Sequence, residues 1–378
     1  MGTVYPQTHH ADYVRLEHTP FTRDRLGQLA CVVVGAGALG NEVARVLGLL
    51  GTGSVHVVDP DRVETSNLPR SIFFCQGNSI GHNKARALVD AAGEMFPDTR
   101  WTATGSEIAD VGFGSLADAD LLFSCVDSDL ARLEIAYIST KLALPVIDGG
   151  LGRQNYSHGR VTYFPGNPGQ ACYGCMLSPS KRGHLLELWQ ATVRPCAADA
   201  AAGTDLVSTP TMAGVVGCIQ VEWGLRNFFQ DDCLTARSLE VQLHPSRRIE
   251  EFTVPVSVDC PFHGFEESLQ PLPQADCTFQ ELLNRSHSDS LLLDWPVCVE
   301  AKCQDCGTKW PPMLRLAALR RRGRCPECGS PEILELQTIR AIARDSSWAW
   351  QTPSALQLPA DHWYSVRPPV ISLPTSPA

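Results

Sequence analysis

The stretch from Leu29 to Arg70 constrains this chain most. Cys31-Val32-Val33-Val34 is an apolar, β-branched run of the kind that forms a buried parallel strand. Gly35-Ala36-Gly37-Ala38-Leu39-Gly40 follows, a G-x-G-x-x-G turn whose backbone N–H groups approach a phosphate at the N-terminus of a helix. Val43, Val46, Leu47 and Leu50 then fall on one helical face. A second strand, Val55-His56-Val57-Val58, ends at Asp59, where an acidic side chain accepts hydrogen bonds from ribose hydroxyls. Strand, glycine turn, helix and strand in this order predict an α/β fold with a Rossmann-like, mostly parallel sheet and flanking helices. They also predict a nucleotide at its C-terminal edge.

The turn alone favours a dinucleotide such as NAD. The residues after Asp59 reverse that preference. Asp59-Pro60-Asp61-Arg62-Val63-Glu64-Thr65-Ser66-Asn67-Leu68-Pro69-Arg70, and then Gly81-His82-Asn83-Lys84, are unusually polar for this place. Asn67, Arg70 and Lys84 offer an amide and two cations to a triphosphate. These residues resemble the ThiF/MoeB/E1 superfamily, whose members adenylate the C-terminus of ubiquitin-like proteins. The family pattern D-x-D-x-V-x-x-S-N-L-x-R-Q, then G-x-x-K, is complete here except for the final Gln, which is Ser71. The resemblance implies an ATP site formed by Gly35, Gly37, Gly40, Asp59, Asp61, Asn67, Arg70 and Lys84.

It also implies roles further along. Leu121 to Cys125 reads as a fourth strand delivering Asp127 to the ligand-binding edge of the sheet. In the family this aspartate, followed five residues later by an arginine (here Arg132), holds the Mg²⁺ that bridges ATP phosphates, a hard cation suited to carboxylate and phosphate oxygens. The residues by themselves also allow Asp127 to be a helix cap, with Asp129 as the alternative cap. Arg15, in Tyr13-Val14-Arg15, resembles the arginine that reaches the nucleotide of a neighbouring subunit, with Arg23 and Arg25 as competitors. A homodimer follows from that role.

Two metal sites are legible. Cys303-Gln304-Asp305-Cys306 and Cys325-Pro326-Glu327-Cys328 have zinc-ribbon spacing, each followed by a glycine. Cys172-x-x-Cys175 is half of a second tetrahedral site. Its other half, on the family pattern, is Cys260-Pro261-Phe262-His263, with His263 in place of the usual last cysteine. Both are expected to be structural Zn²⁺ sites. Between the ribbon knuckles, Arg315 and Arg320-Arg321-Arg322-Gly323-Arg324 form a basic run, either a solvated face or a docking patch for an acidic partner.

Cys196 lies in Arg194-Pro195-Cys196-Ala197-Ala198, ahead of a helix opened by Thr209 as cap and Pro210 at its first position. A cysteine there resembles the one that captures the activated carrier as a thioester; in relatives that only adenylate, it is an unreactive loop residue.

The expected organisation is an N-terminal arm (1–28), an adenylation domain with the cysteine loop and zinc site (29–265), a linker (266–284), a zinc-ribbon accessory domain (285–365) and a disordered tail (366–378). With 44% hydrophobic and 19% charged residues, the chain suits a soluble globular protein. A net charge of −10 argues against nucleic acid as main partner. There is no membrane-spanning run, and the N-terminus lacks a signal-like apolar segment. Fifteen cysteines, several at metal spacing, fit a reducing, cytoplasmic setting. The expected function is ATP-dependent adenylation of a ubiquitin-like protein with a Gly-Gly-like C-terminus. Catalysis falls to Arg70 and Asp127, followed by thioester formation on Cys196 and transfer to an E2-like protein. The single-domain cysteine and ribbon tail resemble compact bacterial E1 proteins of ubiquitin-like conjugation operons, including antiphage ones. The alternatives are a MoeB/ThiF-type sulfur-carrier adenylyltransferase without E2 transfer, an NAD-dependent oxidoreductase, and a non-catalytic scaffold.

Overall fold

The computed structural model describes residues 16–75, 79–152, 155–189, 209–230, 235–262, 268–271, 277–359 and 361–367. Arg15, Cys196, His263 and the tail beyond 367 lie outside them. The chain divides into two compact units, the first comprising Met1–Ala109, Asp118–Met176 and Gly203–Gly264.

After the short helix α1 (Arg23–Leu26), the first unit runs β1 (Ala30–Val34), α2 (Ala38–Leu49), β2 (Ser54–Val58), α3 (Lys84–Met95), β3 (Arg100–Thr104), β4 (Leu121–Ser124), α4 (Asp129–Leu142), β5 (Val146–Leu151) and β6 (His158–Phe164). A further helix, α5 (Pro179–Trp189), belongs to the second unit; α6 (Pro210–Gln230), β7 (Arg237–Gln242) and β8 (Arg248–Thr253) complete the first. The eight strands form one sheet in the order β3-β2-β1-β4-β5-β6-β7-β8. In that order, the strands from β3 through β5 pair in parallel and β6, β7 and β8 are added antiparallel. Strand order reverses between β1 and β4, so their C-terminal ends open the crevice in which ligands of such sheets bind.

The central strands are buried on both faces, which is why they read as unbroken Val and Leu runs. Helix α6 opens as its sequence dictates, with the Met212 N–H donating to Thr209 Oγ1 at 3.2 Å ahead of Pro210. Its small residues let it lie close: a Cβ on Gly217 would stand 3.0 Å from Glu42 of α2, and one on Gly224 3.1 Å from Phe123 of β4.

The second unit contains 110–117, 177–202 and the C-terminal residues from Phe265. The stretch expected to be a linker contributes elements to it: β9 (Ser268–Pro271) and α7 (Phe279–Arg285), the latter held by a Thr278–Glu281 capping box. Next come β10 (Ser290–Cys303), β11 (Lys309–Trp310), β12 (Leu314–Arg315), α8 (Leu316–Arg322), β13 (Ile333–Ala343) and β14 (Trp363–Arg367). The long β10 pairs antiparallel with β11, β12, β13 and β14, and β9 pairs with β14 at the edge. Phe279, Leu282, Leu283, Leu291, Val297 and Ile342 belong to a core of its own. The ribbon is therefore one end of a larger α/β unit rather than a bare metal-dependent module. Among the described residues no helix is long and apolar enough to cross a membrane.

Candidate functional site

Three loops leave neighbouring strand ends at the crevice: the glycine turn after β1, the excursion from Asp59 to Lys84 after β2, and Val126–Ser128 after β4. Gly35 has φ +96°, and a Cβ there would stand 2.7 Å from the Cys125 carbonyl oxygen. Gly40 packs against Gly35 so closely that a Cβ would stand 1.8 Å from its oxygen. A Cβ on Gly37 would meet nothing within 4 Å. Two glycines thus close the turn on the sheet and the middle one faces open space, which suits a phosphate approaching the N-terminus of α2.

Asp59 is buried, and its oxygens accept the N–H of Ala36 at 2.6 Å and of Asp61 at 2.8 Å. Burial pushes its carboxyl pKa up, opposed by the Ala36 N–H and the Lys84 charge. Asp59 therefore fastens the glycine turn to the next loop. That loop closes on itself: the Val63 N–H donates to the His82 carbonyl, the Lys84 N–H to the Asp61 carbonyl, and Lys84 Nζ lies 3.0 Å from Asp61 Oδ2. Asn67 is buried in the cap of the 3₁₀ turn Thr65–Arg70, its Oδ1 accepting the Glu64 N–H at 2.9 Å. Arg70 ends that turn, half-buried. Ser71, where the family pattern has Gln, is buried with no hydrogen-bond partner for its hydroxyl among the described residues.

Asp127 is exposed, one residue ahead of the cap of α4. The cap is Ser128, which accepts the Ala131 N–H at 3.4 Å, so neither Asp127 nor Asp129 serves as the cap. Arg132 holds the loop from beneath: its guanidinium donates to the Val126 carbonyl at 2.6 Å, the Gly149 carbonyl at 3.1 Å and Asp148 at 2.9 Å. Burial works against the charged guanidinium, but Asp148 outweighs it, and the Arg132 pKa ends above its ordinary value. Asp148 is buried at the end of β5, accepts the Ser124 hydroxyl at 2.7 Å and lies 3.6 Å from Arg160. Burial also pushes the Cys125 thiol pKa up, keeping it an uncharged core group.

Two residues are missed by the sequence reading. Asn41, fully buried, donates to the Ala36 and Gly37 carbonyls and accepts the Phe73 N–H, tying the glycine turn to the segment just past Arg70. Gln220 of α6, also fully buried, donates to the Ser124 and Ile147 carbonyls across β4 and β5. Their signal is a polar side chain on the otherwise apolar face of a helix. Of the competitors to Arg15, Arg25 donates to the Pro20 and Phe229 carbonyls and stacks 4.3 Å over the Phe229 ring, and Arg23 donates to the Gly51 carbonyl. Both are committed within their own chain.

Among the described residues, two sulfur clusters could hold a metal ion; His263, the expected fourth ligand of one of them, lies outside those residues. Cys303, Cys306, Cys325 and Cys328 converge, with Cys303–Cys328 and Cys306–Cys325 sulfurs each 3.6 Å apart. Tetrahedral Zn–S bonds of about 2.3 Å put thiolates roughly 3.8 Å apart, so the set fits zinc. Gly307 and Gly329, at φ +77° and +72°, turn the two knuckles. Cys172, Cys175 and Cys260 form a three-sulfur cluster, with Cys172 and Cys260 3.7 Å apart and the Ser257 N–H donating to Cys175. This set also fits a metal and leaves one position for a fourth ligand. Zinc held by the four ribbon cysteines would pin mainly residues 303–330, so a strong chelator is expected to loosen them while the core formed by Phe279, Leu283, Leu291, Val297 and Ile342 stays folded. Hydrogen exchange checks this: within the second unit, protection lost only around residues 303–330 is the expected result, and global unfolding of that unit contradicts it.

The basic run is partly consumed by internal pairs. Arg315 is buried with Asp110 as partner at 2.5 Å, Arg322 also meets Asp110, and Arg320 meets Glu335 at 2.8 Å.

A family model described as ThiF family matches residues 15–261. The SAMP-activating enzyme E1 of Haloferax volcanii is 25% identical over 249 residues, 65% of this chain and 84% of that protein. The molybdopterin-synthase adenylyltransferase of Escherichia coli K12 is 27% identical over 38% of this chain and 57% of that protein. This chain spans between 20% and 57% of the length of several curated relatives it matches. The crystal structure of E. coli MccB is similar with a TM-score of 0.49 at 16% identity, over 66% of this chain and 68% of that one.

Proposed function

The chain belongs to the ThiF family, and on that premise we propose that it uses ATP to adenylate the C-terminal carboxylate of a small ubiquitin-like or sulfur-carrier protein. The observation that carries this reading is the convergence of three loops at one sheet edge: a glycine turn with Gly37 facing open space, an excursion bearing Arg70 and Lys84, and a loop presenting the exposed carboxylate of Asp127.

In this reading the turn and the N-terminus of α2 receive phosphate oxygens, Asp59 and Asp61 lie at the ribose side, and Asn67 keeps the Arg70 turn in shape. Arg70 and Lys84 balance the charge of the triphosphate, with Lys84 oriented by Asp61. Asp127 is the ligand for Mg²⁺, which when bound would neutralise phosphate charge. A carrier carboxylate oxygen attacks the α-phosphorus, the bond to the bridging oxygen breaks, and pyrophosphate leaves. Arg15 of a second copy completes the site in a homodimer.

In its finer form the reading makes the protein a compact bacterial E1 acting in the cytoplasm, in antiphage conjugation. The Cys196 thiolate attacks the acyl carbon of the adenylate, AMP leaves, and an E2-like protein accepts the thioester. The second reading, a sulfur-carrier adenylyltransferase without E2 transfer, draws support from the E. coli relative. ATP–pyrophosphate exchange against a panel of carriers ending in Gly-Gly tests the shared core; no exchange with any of them counts against it. A non-reducing gel then separates the two: a thiol-sensitive adduct lost in Cys196→Ser, with exchange retained, supports the E1 form, and an adduct that survives this substitution removes Cys196 from the mechanism.

A further inference from the structure

The Cys172–Cys175 knuckle carries a side chain that its metal chemistry does not need. Tyr173 is buried, 5% exposed, and its hydroxyl donates to Asp129 Oδ1 at 2.5 Å. Asp129 is the first residue of α4, two positions past Asp127. The same carboxylate lies 3.9 Å from Arg132, and the Arg132 guanidinium stands 5.9 Å over the Tyr173 ring. Arg132 in turn grips the carbonyl of Val126, one position before Asp127. The segment Val126–Asp129 is thus fastened at both ends, and both fastenings meet Tyr173. The knuckle behind it is tight: a Cβ on Gly174 would stand 2.7 Å from the Phe262 ring and 2.8 Å from Cys260 Sγ. A bare cap for α4 needs none of this, because Ser128 already provides one.

We propose that Tyr173 is a positioning residue that couples the three-cysteine metal centre to the Asp127 loop, so that the order of that centre sets how well the site holds Mg²⁺ with ATP. The coupling rests on the proposed reading of Asp127 as the Mg²⁺ ligand. Cys172, Cys175 and Cys260 would hold a metal that keeps the knuckle in place; the knuckle carries the phenol, and the phenol hydroxyl donates to Asp129. Asp127 is left with the loop geometry that a small octahedral cation requires. The metal centre then supports catalysis from outside the crevice, through one hydroxyl.

Tyr173→Phe removes that hydroxyl and keeps the ring beneath Arg132. In the full-length protein its zinc content is expected to match the parent. The Mg²⁺ concentration for half-maximal ATP–pyrophosphate exchange rises about tenfold, the scale of one hydrogen bond to a charged group, while the rate at saturating Mg²⁺ stays within about twofold. Calorimetric binding of a non-hydrolysable ATP analogue weakens by the same factor with Mg²⁺ and is unchanged without it. Asp129→Ala reproduces the shift, Asp129→Asn, which keeps an acceptor oxygen, restores most of the affinity, and Tyr173→Phe/Asp129→Ala is no worse than either single change. An unaltered Mg²⁺ dependence in Tyr173→Phe and Asp129→Ala overturns the coupling, as does a loss of exchange that is the same at every Mg²⁺ concentration and follows Tm alone. Asp127→Asn separates the two claims: if it binds Mg²⁺ and the analogue as the parent does, the reading of the nucleotide site has failed; if it is defective while Tyr173→Phe is normal, only the coupling has failed.

Discussion

Asp127→Asn is expected to lower ATP–pyrophosphate exchange by about 10²–10³-fold, on the order of 3–4 kcal/mol of barrier, while Tm changes little. The separation of effects follows from where Asp127 sits. It is exposed and precedes the cap of α4, which Ser128 provides, and the loop is held through backbone carbonyls and neighbouring side chains. Surface changes of this kind alter stability by about 0.5 kcal/mol or less. What the amide cannot do is offer a full negative charge to a hard divalent cation. The defect is expected to shrink as Mg²⁺ is raised if the loss is mainly in metal affinity, and to persist at all concentrations if the carboxylate also orients the phosphates. Exchange within threefold of the parent at low millimolar Mg²⁺ would remove Asp127 from the site.

Much of the first unit is readable in advance because its signals are local. The β-branched run of β1, the three glycines and the Thr209-Pro210 helix start each act within a few residues of themselves. The helix over Lys84–Met95 begins at the lysine whose family spacing marks it. What escapes is set by partners far away in the chain. Asn41 looks like an ordinary surface position in a helix until Ala36, Gly37 and Phe73 close around its amide. Gln220 is understood only when β4 and β5 both turn out to end beneath α6. The prolines at 271 and 273 suggest a linker, yet Pro271 ends β9 at a sheet edge, where a missing N–H is tolerated. Likewise Arg315 belongs to a run that reads as a solvated or docking face, and its partner Asp110 is 205 residues away. Length and alternation identify elements; they do not disclose which charge will meet which.

Arg132→Met is expected to cost about 3 kcal/mol and to lower the Tm of the first unit by roughly 6–12 °C. The size comes from what is left behind. Asp148 is 1% exposed, and the substitution removes its 2.9 Å guanidinium partner together with the donors to the Val126 and Gly149 carbonyls. An uncompensated buried carboxylate commonly costs about 3–5 kcal/mol. The lower end applies because Arg160 remains 3.6 Å from Oδ2 and the Ser124 hydroxyl still donates to Oδ1. Arg132→Met/Asp148→Leu is then expected to recover part of the stability, since the penalty is the orphaned charge and not the absence of the pair. Exchange activity is not expected to recover with it, because the Val126 carbonyl still lacks the donor that holds the Asp127 loop. Stability and activity that return together in the double variant would mean that Arg132 acts on the fold alone. A single variant within about 1 kcal/mol of the parent would mean that Arg160 suffices for Asp148.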